Sequence, residues 1–325
     1  RMLTRRQFSS LVVSASAGAV PSVFGAADAF PSRPIELIVG YGAGGVVDMV
    51  GRAIALPLAK LLGQPVVITN RPGAGGTLGP ATMAAKDKPD GYTLAFIAMS
   101  IGRQPLMQKT SWDPLKDFTY ISMLTDFTMG IAVPADSPFK SLADLLAYAK
   151  AHPGEVTYAA LGPGTGMHLS MERIAQQARV SLSFVPFARP ADVLQAVLGH
   201  HVMVQVDASS WAQHVDSGKM RLLAMGTDER SKKWPTVPTL RELGFHFNID
   251  GPFGIAGPAG MDPAIVRKLD AAFAACMQDQ GVLRALDFYD MRVNYLGPTA
   301  YHRYMEDKIK SEGELLEFLG LRRKA

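Results

Sequence analysis

The sequence predicts an α/β fold of two similar lobes between which the chain crosses twice. Short apolar strands alternate with helical segments from residue 35 to 97, and the same alternation starts again near 141 and continues to 206. Two long segments, near 121–134 and near 247–258, lie where the chain would pass between the two units. The cleft between such lobes is where a small ligand would bind.

Length and composition exclude several classes of protein. A chain of 325 residues fits two domains of about 150 residues each. The net charge of +4 is scattered, so we expect no nucleic-acid partner. No apolar run approaches the roughly 20 residues of a membrane span. The single cysteine, Cys276, excludes an intramolecular disulfide framework and a cysteine-rich zinc site, and its apolar surroundings predict a core residue.

The N-terminal segment 1–29 has the pattern of an export signal. Arg5 and Arg6 precede a weakly apolar stretch, and Ala27-Asp28-Ala29 supplies small residues at cleavage spacing. This order resembles a cleavable twin-arginine signal, which would place a mature chain from Phe30 in the periplasm or outside the cell. A disordered basic N-terminus is the alternative interpretation.

The first lobe is predicted from strands and helices that alternate after the signal. Val47, Val50, Ile54 and Leu58 recur at helical spacing and define one apolar face. Alternation of this kind favours a parallel sheet. The predicted strands are Ile35–Val39, Pro65–Thr69 and Tyr92–Ile97, and the predicted helices are Val46–Leu62 and Thr77–Ala85.

The second lobe repeats this order, and two amphipathic helices close the chain. Ser141 begins a helix through Lys150, with Asp144 placed as in a capping box. We assign 30–130 and 250–325 to the first domain and 131–249 to the second. The further predicted elements are strands at Val156–Ala159, Leu182–Pro186 and Val202–Val206 and helices at Met167–Gln177, Asp192–Leu198, Ile265–Met277 and Thr299–Leu319.

Glycine-rich turns occur at three positions, Gly40–Gly45, Gly73–Gly76 and Gly162–Gly166. A glycine turn that opens a helix presents backbone N–H groups and the positive end of the helix dipole, which together form an anion site. A single such turn can simply be a tight connection that needs glycine. Three turns in one chain favour a bound anion.

The first turn also matches the dinucleotide pattern Gly-x-Gly-x-x-Gly between a strand and a helix. The acidic residue expected at the end of the next strand is absent, and Asn70 and Arg71 stand there instead. Arg71 can meet a 2′-phosphate, so an exported NADP-dependent oxidoreductase is the alternative function. His200 and His201 are adjacent and point apart on any regular element, so we predict no metal site. For the leading interpretation we expect no cofactor.

Motifs along nearly the whole mature chain resemble the Bug, or TctC, family of periplasmic solute-binding proteins. They include Arg33-Pro34-Ile35, Asn70-Arg71-Pro72-Gly73-Ala74-Gly75-Gly76, Pro89-Asp90-Gly91-Tyr92-Thr93, Gly162-x-Gly164-Thr165-x-x-His168-Leu169 and Pro235-Thr236-Val237-Pro238-Thr239. The resemblance implies a two-lobed, Venus-flytrap fold of the type II periplasmic-binding-protein class with two interdomain crossings.

The same resemblance implies capture of a small carboxylate for uptake or sensing. The ligand would be a di- or tricarboxylate, an amino acid or an aromatic carboxylate. Partners would be membrane subunits of a tripartite tricarboxylate transporter or a sensor kinase, and we expect a monomer. No catalytic motif such as Gly-x-Ser-x-Gly is present, so we expect a binding protein rather than an enzyme.

Twelve residues are predicted to contact the ligand. The resemblance implies that the first glycine turn and the Gly164–His168 turn face each other across the cleft, where their amides bind a carboxylate. The twelve are Tyr41, Ala43, Gly44, Gly45, Asp48, Ser100, Gly164, Thr165, Gly166, His168, Arg189 and Asp207.

Several of these side chains have a structural alternative. Asp48 lies in a first helical turn, where a carboxylate also stabilises the helix dipole. Arg189 is a bidentate carboxylate partner if it points into the cleft, and otherwise a solvated loop residue. Tyr41 lines the pocket or packs under its turn, and Asp207 accepts a hydrogen bond from the ligand or caps a turn. His168 is expected to be neutral, because a helix N-terminus disfavours its charged form.

Overall fold

The computed structural model describes residues 30–249 and 251–323, and its strands in these ranges form two sheets. The described elements lie in one unit of the chain, Pro31–Ala325. The predicted export signal at 1–29 lies outside the described residues and stays a prediction. The strands are β1 (Ile35–Val39), β2 (Val66–Asn70), β3 (Thr93–Ala98), β4 (Phe118–Asp126), β5 (Met129–Pro134), β6 (Thr157–Leu161), β7 (Ser183–Phe187), β8 (Val204–Ala208), β9 (Met220–Met225), β10 (Pro252–Pro258) and β11 (Arg292–Leu296).

Helices connect most of these strands, and none of the described helices is long and apolar enough to cross a membrane. A 3₁₀ turn at Ala74–Gly76 precedes the second helix. The helices are α1 (Val46–Leu62), α2 (Leu78–Lys86), α3 (Ser100–Met107), α4 (Leu142–Ala151), α5 (Gly166–Ala178), α6 (Pro190–Leu198), α7 (Ala212–Asp216), α8 (Pro263–Cys276), α9 (Gln280–Phe288) and α10 (Pro298–Phe318).

The two sheets divide the chain into two lobes. The six-stranded sheet has the order β11-β4-β10-β3-β1-β2, and the five-stranded sheet has the order β7-β6-β8-β5-β9. We call the first sheet with its helices lobe 1 and the second sheet with its helices lobe 2. Lobe 1 therefore takes strands from both ends of the described chain, and lobe 2 takes the strands between them.

Both sheets are mixed, so the expectation of a parallel sheet is wrong in part. In lobe 1, β1 pairs in parallel with β2 and β3, but β10 is antiparallel to β3 and β4, and β11 is antiparallel to β4. In lobe 2, β6 is parallel to β7 and β8, but β5 is antiparallel to β8 and β9. A parallel neighbour needs a long crossover, usually a helix. Strands β5 and β10, which follow the two crossings, are the strands that run against their neighbours.

The two crossings run side by side. The first consists of Phe127 and Thr128, between β4 and β5, and the second is the segment 226–251, between β9 and β10. The Phe127 N–H donates to the Gly251 carbonyl at 2.8 Å, and the Gly226 N–H donates to the Met129 carbonyl at 2.9 Å. These hydrogen bonds tie the crossings into a paired hinge.

Helix α1 illustrates how the apolar pattern builds lobe 1. Its predicted bounds are confirmed. Val50, Ile54 and Leu58 are fully buried, and burial of each such side chain contributes about 1.5–3 kcal/mol. Gly63 ends the helix in the left-handed conformation, with φ of 69°, which costs glycine nothing.

Two smaller predictions are confirmed as well. At the start of α4, the Ser141 Oγ accepts a hydrogen bond from the Asp144 N–H at 3.1 Å, and the Asp144 carboxylate accepts one from the Ser141 N–H at 2.9 Å. This is the reciprocal capping box. Cys276 is fully buried in α8, where burial raises the pKa of its thiol to about 12. The thiol is therefore a core group and is not reactive at neutral pH.

Candidate functional site

The first glycine turn joins β1 to α1 and is held by Asp48. The Gly44 N–H donates to the Asp48 carboxylate at 2.9 Å, with Gly44 at a φ of 81°. Arg52 Nε and Asn70 Nδ2 donate to the same carboxylate, each at 3.0 Å. Burial of Asp48 acts to raise its pKa, but the hydrogen bonds from Arg52, Gly44 and Asn70 together outweigh it and lower the pKa. Asp48 therefore stays charged and fixes the turn.

The lobe 2 turn, between β6 and α5, is held in a parallel way by His168. The Gly164 N–H donates to His168 Nδ1 at 3.2 Å, and the imidazole stacks on Phe184 with ring centroids 4.3 Å apart. Thr165 caps α5, because its hydroxyl donates to the Gly162 carbonyl and accepts from the His168 N–H. Burial lowers the pKa of His168, and the nearby Glu172 only partly offsets this. The imidazole is neutral, as expected, but Nδ1 is used as an acceptor inside the turn.

The two lobes touch through glycine backbones. A Cβ atom at Gly45 would lie 2.7 Å from Pro190 Cγ, and one at Gly162 would lie 3.1 Å from Gly75 Cα. Both distances are shorter than ordinary contacts, so only glycine permits this approach. Two α3 side chains add polar contacts across the lobes. Gln104 Nε2 donates to the Pro163 carbonyl at 2.9 Å, and Arg103 Nη1 donates to the Gly164 carbonyl at 3.3 Å.

A cavity lies between the lobes beside these contacts. Four helices begin at its wall, since Gly45 and Val46 start α1, Ser100 starts α3, Thr165 and Gly166 start α5, and Pro190 starts α6. Their first-turn N–H groups and dipoles favour negative charge. The wall is otherwise mainly apolar and includes Val47, Ala98, Met99, Phe127, Met129, Leu161, Met167, Ala208 and Pro252.

One carboxyl group and one guanidinium line the cavity, and their environments differ. Asp207, at the end of β8, is 2% exposed and accepts a hydrogen bond from the Ala208 N–H at 2.8 Å and another from Ser210. Burial raises the pKa of Asp207 despite the hydrogen bonds from Ser210, Ala208 and Gln205. Arg103 donates through Nε and Nη2, one edge of its guanidinium, to the two carboxylate oxygens of Glu312 at 2.7 and 2.8 Å. Its charge is compensated within the protein, whereas Asp207 faces the cavity without a cationic partner among the described hydrogen bonds and ion pairs.

Tyr41 and Ser100 supply hydroxyls at the lobe 1 side of the cavity. Tyr41 Oη donates to the Gly75 carbonyl at 3.4 Å, and its ring packs over Gly76, where a Cβ would lie 2.4 Å from Tyr41 Cζ. Burial raises the pKa of Tyr41, partly offset by a hydrogen bond with Ser100. Tyr41 thus both lines the cavity and packs against the second glycine turn.

The structure places half of the twelve predicted contact residues in the cavity wall. Ala43 and Gly44 lie on the exposed outer side of their turn, Asp48 and His168 hold the turns, and Gly164 bonds to His168 and Arg103. Arg189 forms a bidentate pair with Asp192 at 2.7 and 2.8 Å, with 64% of its side chain exposed. Ligand contact for each stays a prediction. The six in the wall are Tyr41, Gly45, Ser100, Thr165, Gly166 and Asp207.

Several wall residues were not anticipated from the sequence. Phe127 and Gly251 belong to the crossings, and Met129 and Met167 begin lobe 2 elements. Apolar residues in a crossing carry no periodicity that separates a pocket wall from a core. Arg103 was not predicted, because helix α3, which carries it, was not predicted. Within the described ranges, no group of three or more His, Cys, Asp or Glu side chains could hold a metal ion.

The dinucleotide interpretation of the first turn is not favoured. Arg71, which would meet a 2′-phosphate, is paired with Glu36 at 2.7 Å. Asn70 donates to the Tyr41 carbonyl and to Asp48, so the end of β2 is used to hold the turn.

Comparison with known proteins identifies the family. The model of the tripartite tricarboxylate transporter family receptor, TctC, matches residues 50–321. The chain belongs to this family. It is 44% identical over 91% of its length to the UPF0065 protein in the gbd 5′ region of Cupriavidus necator, covering 90% of that protein. It is 33% identical over 80% of its length to Protein BugT of Bordetella pertussis, covering 81% of that protein.

Solved structures of this TctC family have the same two-lobed fold. The periplasmic binding protein BugD superposes with a TM-score of 0.86 at 27% identity, covering 91% of this chain and all of BugD. MatC from Rhodopseudomonas palustris with bound malate has a TM-score of 0.82 at 28% identity, covering 88% and 100% of the two chains. An R. palustris protein with adipate has a TM-score of 0.85 at 27% identity, covering 90% and 98%. This TctC chain therefore has the fold of the periplasmic binding proteins, as the sequence predicted.

Proposed function

We propose that this protein captures a small carboxylate in the cavity between its lobes, for uptake or sensing. The observation that carries the proposal is the meeting of four helix N-termini at one mainly apolar cavity. Helices α1 and α3 have no side-chain cap, so no side chain of their own N-cap competes with a ligand for the N–H groups of Val46 and Ser100. The malate and adipate complexes of MatC and of the second R. palustris protein support a carboxylate as the ligand class.

In this proposal the carboxylate binds at the paired starts of α1 and α5. The amides after Gly45 and Thr165 donate to its oxygens, and the Ser100 hydroxyl adds a third donor. The apolar wall excludes water, which strengthens these hydrogen bonds. Asp207 accepts a hydrogen bond from an ammonium or hydroxyl group of the ligand, and it opposes a second carboxylate placed beside it.

The affinity needed is within reach of such a site. Micromolar binding requires about 8 kcal/mol, which is roughly 0.8 kcal/mol for each of about ten heavy atoms. Closure of the lobes by hinge motion at the paired crossings would enclose the ligand. The direct contacts between glycine backbones make that closed state sensitive to a single added methyl group.

The remaining assignments follow from the same interpretation. We place the domain boundaries at 130/131 and 249/250; the changes of sheet between β4 and β5 and between β9 and β10 support a boundary near each position, although β5 begins at Met129. We place the protein in the periplasm after removal of its signal, as a monomeric binder without catalytic activity. Its partners are transporter membrane subunits or a sensor kinase. The receptor family supports the transporter partner and the binding role, and the periplasmic binding protein BugD supports the location.

A thermal-shift screen of the mature protein tests the proposal. The ligands are malate, adipate, glutamate and benzoate, with NADP as the control. A ligand at 100 times its Kd adds about 2.7 kcal/mol to stability, a shift of several degrees for a chain of this size. Stabilisation by NADP without any carboxylate would contradict the proposal.

The Gly45→Ala variant locates the binding. Its Cβ would lie 2.7 Å from Pro190 Cγ, so the variant opposes closure while its own backbone, at φ −77°, accepts alanine. We expect carboxylate affinity to fall at least about tenfold, since overpacking costs about 1–3 kcal/mol. Gly297→Ala is the matched control, because Gly297 also caps a helix at φ −71° and the nearest atom to its Cβ would be 3.5 Å away. Equal affinity in the two variants would place the ligand elsewhere.

A further inference from the structure

The arginine in the wall of the cavity between the lobes is held by a carboxylate that lies outside this wall. Arg103 Nε and Nη2 donate to the two carboxylate oxygens of Glu312 at 2.7 and 2.8 Å. A third donor, Nη1, reaches the Gly164 carbonyl at 3.3 Å. Glu312 is 8% exposed and does not belong to the described wall of the cavity. The two charges therefore form a buried pair behind the wall.

This ion pair lies within lobe 1. Arg103 belongs to α3 and Glu312 to α10, and these two helices pack against each other. Movement of one lobe relative to the other therefore does not separate the pair. A bidentate arginine–carboxylate pair has a specific geometry and strong hydrogen bonds. The charge of Arg103 is thus compensated before a ligand arrives, in an open as in a closed arrangement of the lobes.

Asp207, the carboxyl group of the same cavity wall, is held by neutral donors alone. The Ala208 N–H donates to Oδ1 at 2.8 Å, and the Ser210 hydroxyl donates to Oδ2. Gln205 Nε2 donates to Ser210 Oγ at 2.8 Å, which fixes the direction of that hydroxyl. A carboxylate accepts more than two hydrogen bonds, so Asp207 can also accept from a donor of the ligand.

The Tyr41 hydroxyl shows that the two charged groups act at the same end of the cavity. Burial raises the pKa of Tyr41, a hydrogen bond with Ser100 and the charge of Arg103 lower it, and the charge of Asp207 raises it. Both charged groups therefore lie near this hydroxyl. Because Glu312 compensates Arg103, the charge that a ligand meets at this end is that of the Asp207 carboxylate.

We propose that Glu312 determines the specificity of the cavity by withholding Arg103 from the ligand, so that the cavity takes a zwitterionic amino acid rather than a dicarboxylate. The inference rests on the proposed function, in which the helix starts bind one carboxylate. The ammonium group of the ligand donates to Asp207 and removes the cost of a buried, unpaired charge. A second carboxylate in that place meets Asp207 and no uncompensated cation of the described wall. Repulsion of this kind sets specificity between otherwise similar ligands.

Arg173 is a further cation on which Glu312 acts, but it does not change the charge of this cavity. Arg173 lies on α5 and is not in the described wall, and its guanidinium stacks on the Phe247 ring, 4.2 Å from the ring centroid. Burial lowers the pKa of Arg173, with partial compensation from Glu312. Within the described wall, Arg103 is therefore the cation that Glu312 controls.

Titration calorimetry of the mature protein with matched ligands tests the proposal. The pairs are alanine with methylmalonate, β-alanine with succinate, γ-aminobutyrate with glutarate, and δ-aminovalerate with adipate. Within each pair an ammonium group takes the place of one carboxylate on the same carbon chain, and the series varies the spacing of the two charges. We expect at least one amino compound to bind the wild type at least about tenfold more tightly than its dicarboxylate partner.

Glu312→Gln tests the role of the buried carboxylate directly. The variant leaves the charge of Arg103 uncompensated, so a second carboxylate of the ligand gains a partner. We expect the ratio of amino-compound affinity to dicarboxylate affinity to fall at least about tenfold. Glu314→Gln, at an exposed glutamate of the same helix, is the matched control and should keep the wild-type ratio. Circular dichroism checks that both variants are folded.

The double variant Arg103→Met/Glu312→Met keeps the test valid if Glu312→Gln does not fold, because apolar residues often replace both partners of a buried pair without loss of stability. Loss of the Gly164 contact lowers the affinity for both ligand classes alike, so their ratio should stay within about threefold of the wild type. A tenfold change of the ratio in the double variant would contradict the proposal.

The outcomes separate this proposal from the proposed function. Dicarboxylates that bind the wild type as tightly as their amino partners would overturn the role of Glu312, while carboxylate capture would stand. An unchanged ratio in folded Glu312→Gln would overturn it as well. Absence of binding by every ligand of both classes would contradict the proposed function itself, and this inference with it.

Discussion

The two glycine turns at the cavity use the same device with different chemistry. In each turn a glycine N–H donates to a side chain four residues later, Gly44 to Asp48 in lobe 1 and Gly164 to His168 in lobe 2. In lobe 1 the acceptor is a carboxylate whose pKa is lowered by three donors, whereas in lobe 2 it is a buried neutral imidazole. The comparison shows that a polar side chain near a helix start can stabilise the glycine turn before it.

Because Asp48 accepts three hydrogen bonds, the lobe 1 turn should lose much stability when its acceptor is removed. Asp48→Ala leaves Gly44, Arg52 and Asn70 without their shared acceptor in a buried place. We expect a loss of about 2–4 kcal/mol in the free energy of unfolding, measured by urea denaturation. Asp192→Ala is the matched control, a first-turn aspartate paired with an exposed arginine, and should cost under about 1 kcal/mol. Equal losses in the two variants would show that Asp48 does not hold the turn.

The lobe 2 turn should be the pH-sensitive one. The pKa of His168 is lowered in the folded state from its ordinary value of 6.5, so the unfolded chain binds a proton more readily. The contribution of this residue is present above pH 6.5 and is lost as pH falls through the folded-state pKa. Asp48 loses its contribution only below pH 3.8.

His168→Asn tests this pH dependence, because an amide oxygen can accept from Gly164 without titrating. Between pH 7 and pH 5, we expect the free energy of unfolding of the variant to fall by about 1 kcal/mol less than that of the wild type. Urea denaturation at several pH values measures it. His246→Asn, at an exposed histidine, should keep the wild-type pH profile. A His168→Asn profile identical to the wild type would contradict the role of the imidazole.

The smallest expected effect concerns the link between lobes. Gln104 of α3 donates to the Pro163 carbonyl at 2.9 Å, next to the lobe 2 turn. Gln104→Met removes this hydrogen bond while keeping the side-chain length, so closure should lose about 1 kcal/mol and carboxylate affinity about fivefold. Gln213→Met, at an exposed glutamine of α7, is the control. A larger effect in the control would contradict the assignment of the link to Gln104.

The sequence predicted most elements of both lobes because their apolar residues repeat with clear periods. Helix α1 and the α4 capping box are examples, since every interaction that defines them lies within about four residues along the chain. Helix α3 was missed because Gly102 and Pro105 lower its intrinsic helix propensity, and packing in lobe 1 overrides that preference. The antiparallel pairing of β5 and β10 was missed because it depends on how the chain enters each sheet after it crosses between the lobes.

For the cavity wall, the sequence predicted which turns take part better than which side chains do. Thr165, Gly45 and Ser100 line the cavity because they stand at helix starts, and a glycine turn before a helix is visible in the sequence. Asp48 and His168 also lie near helix starts, but the side chain of each points back to its glycine turn. Each accepts a hydrogen bond from a glycine N–H four residues earlier. The direction of each side chain depends on the positive φ angle of Gly44 or Gly164. Glycine allows such an angle, but its presence in the sequence does not fix the angle.

The α/β class, the three glycine turns and the apolar faces of the helices and strands can be read from the sequence alone. These features depend on local conformational preference and on the period of burial along a single element. The meeting of four helix starts at one cavity and the pairing of Arg103 with Glu312 follow from the packing of the lobes. Arg103 and Glu312 are 209 residues apart, and contacts at that separation follow from lobe packing rather than from local sequence.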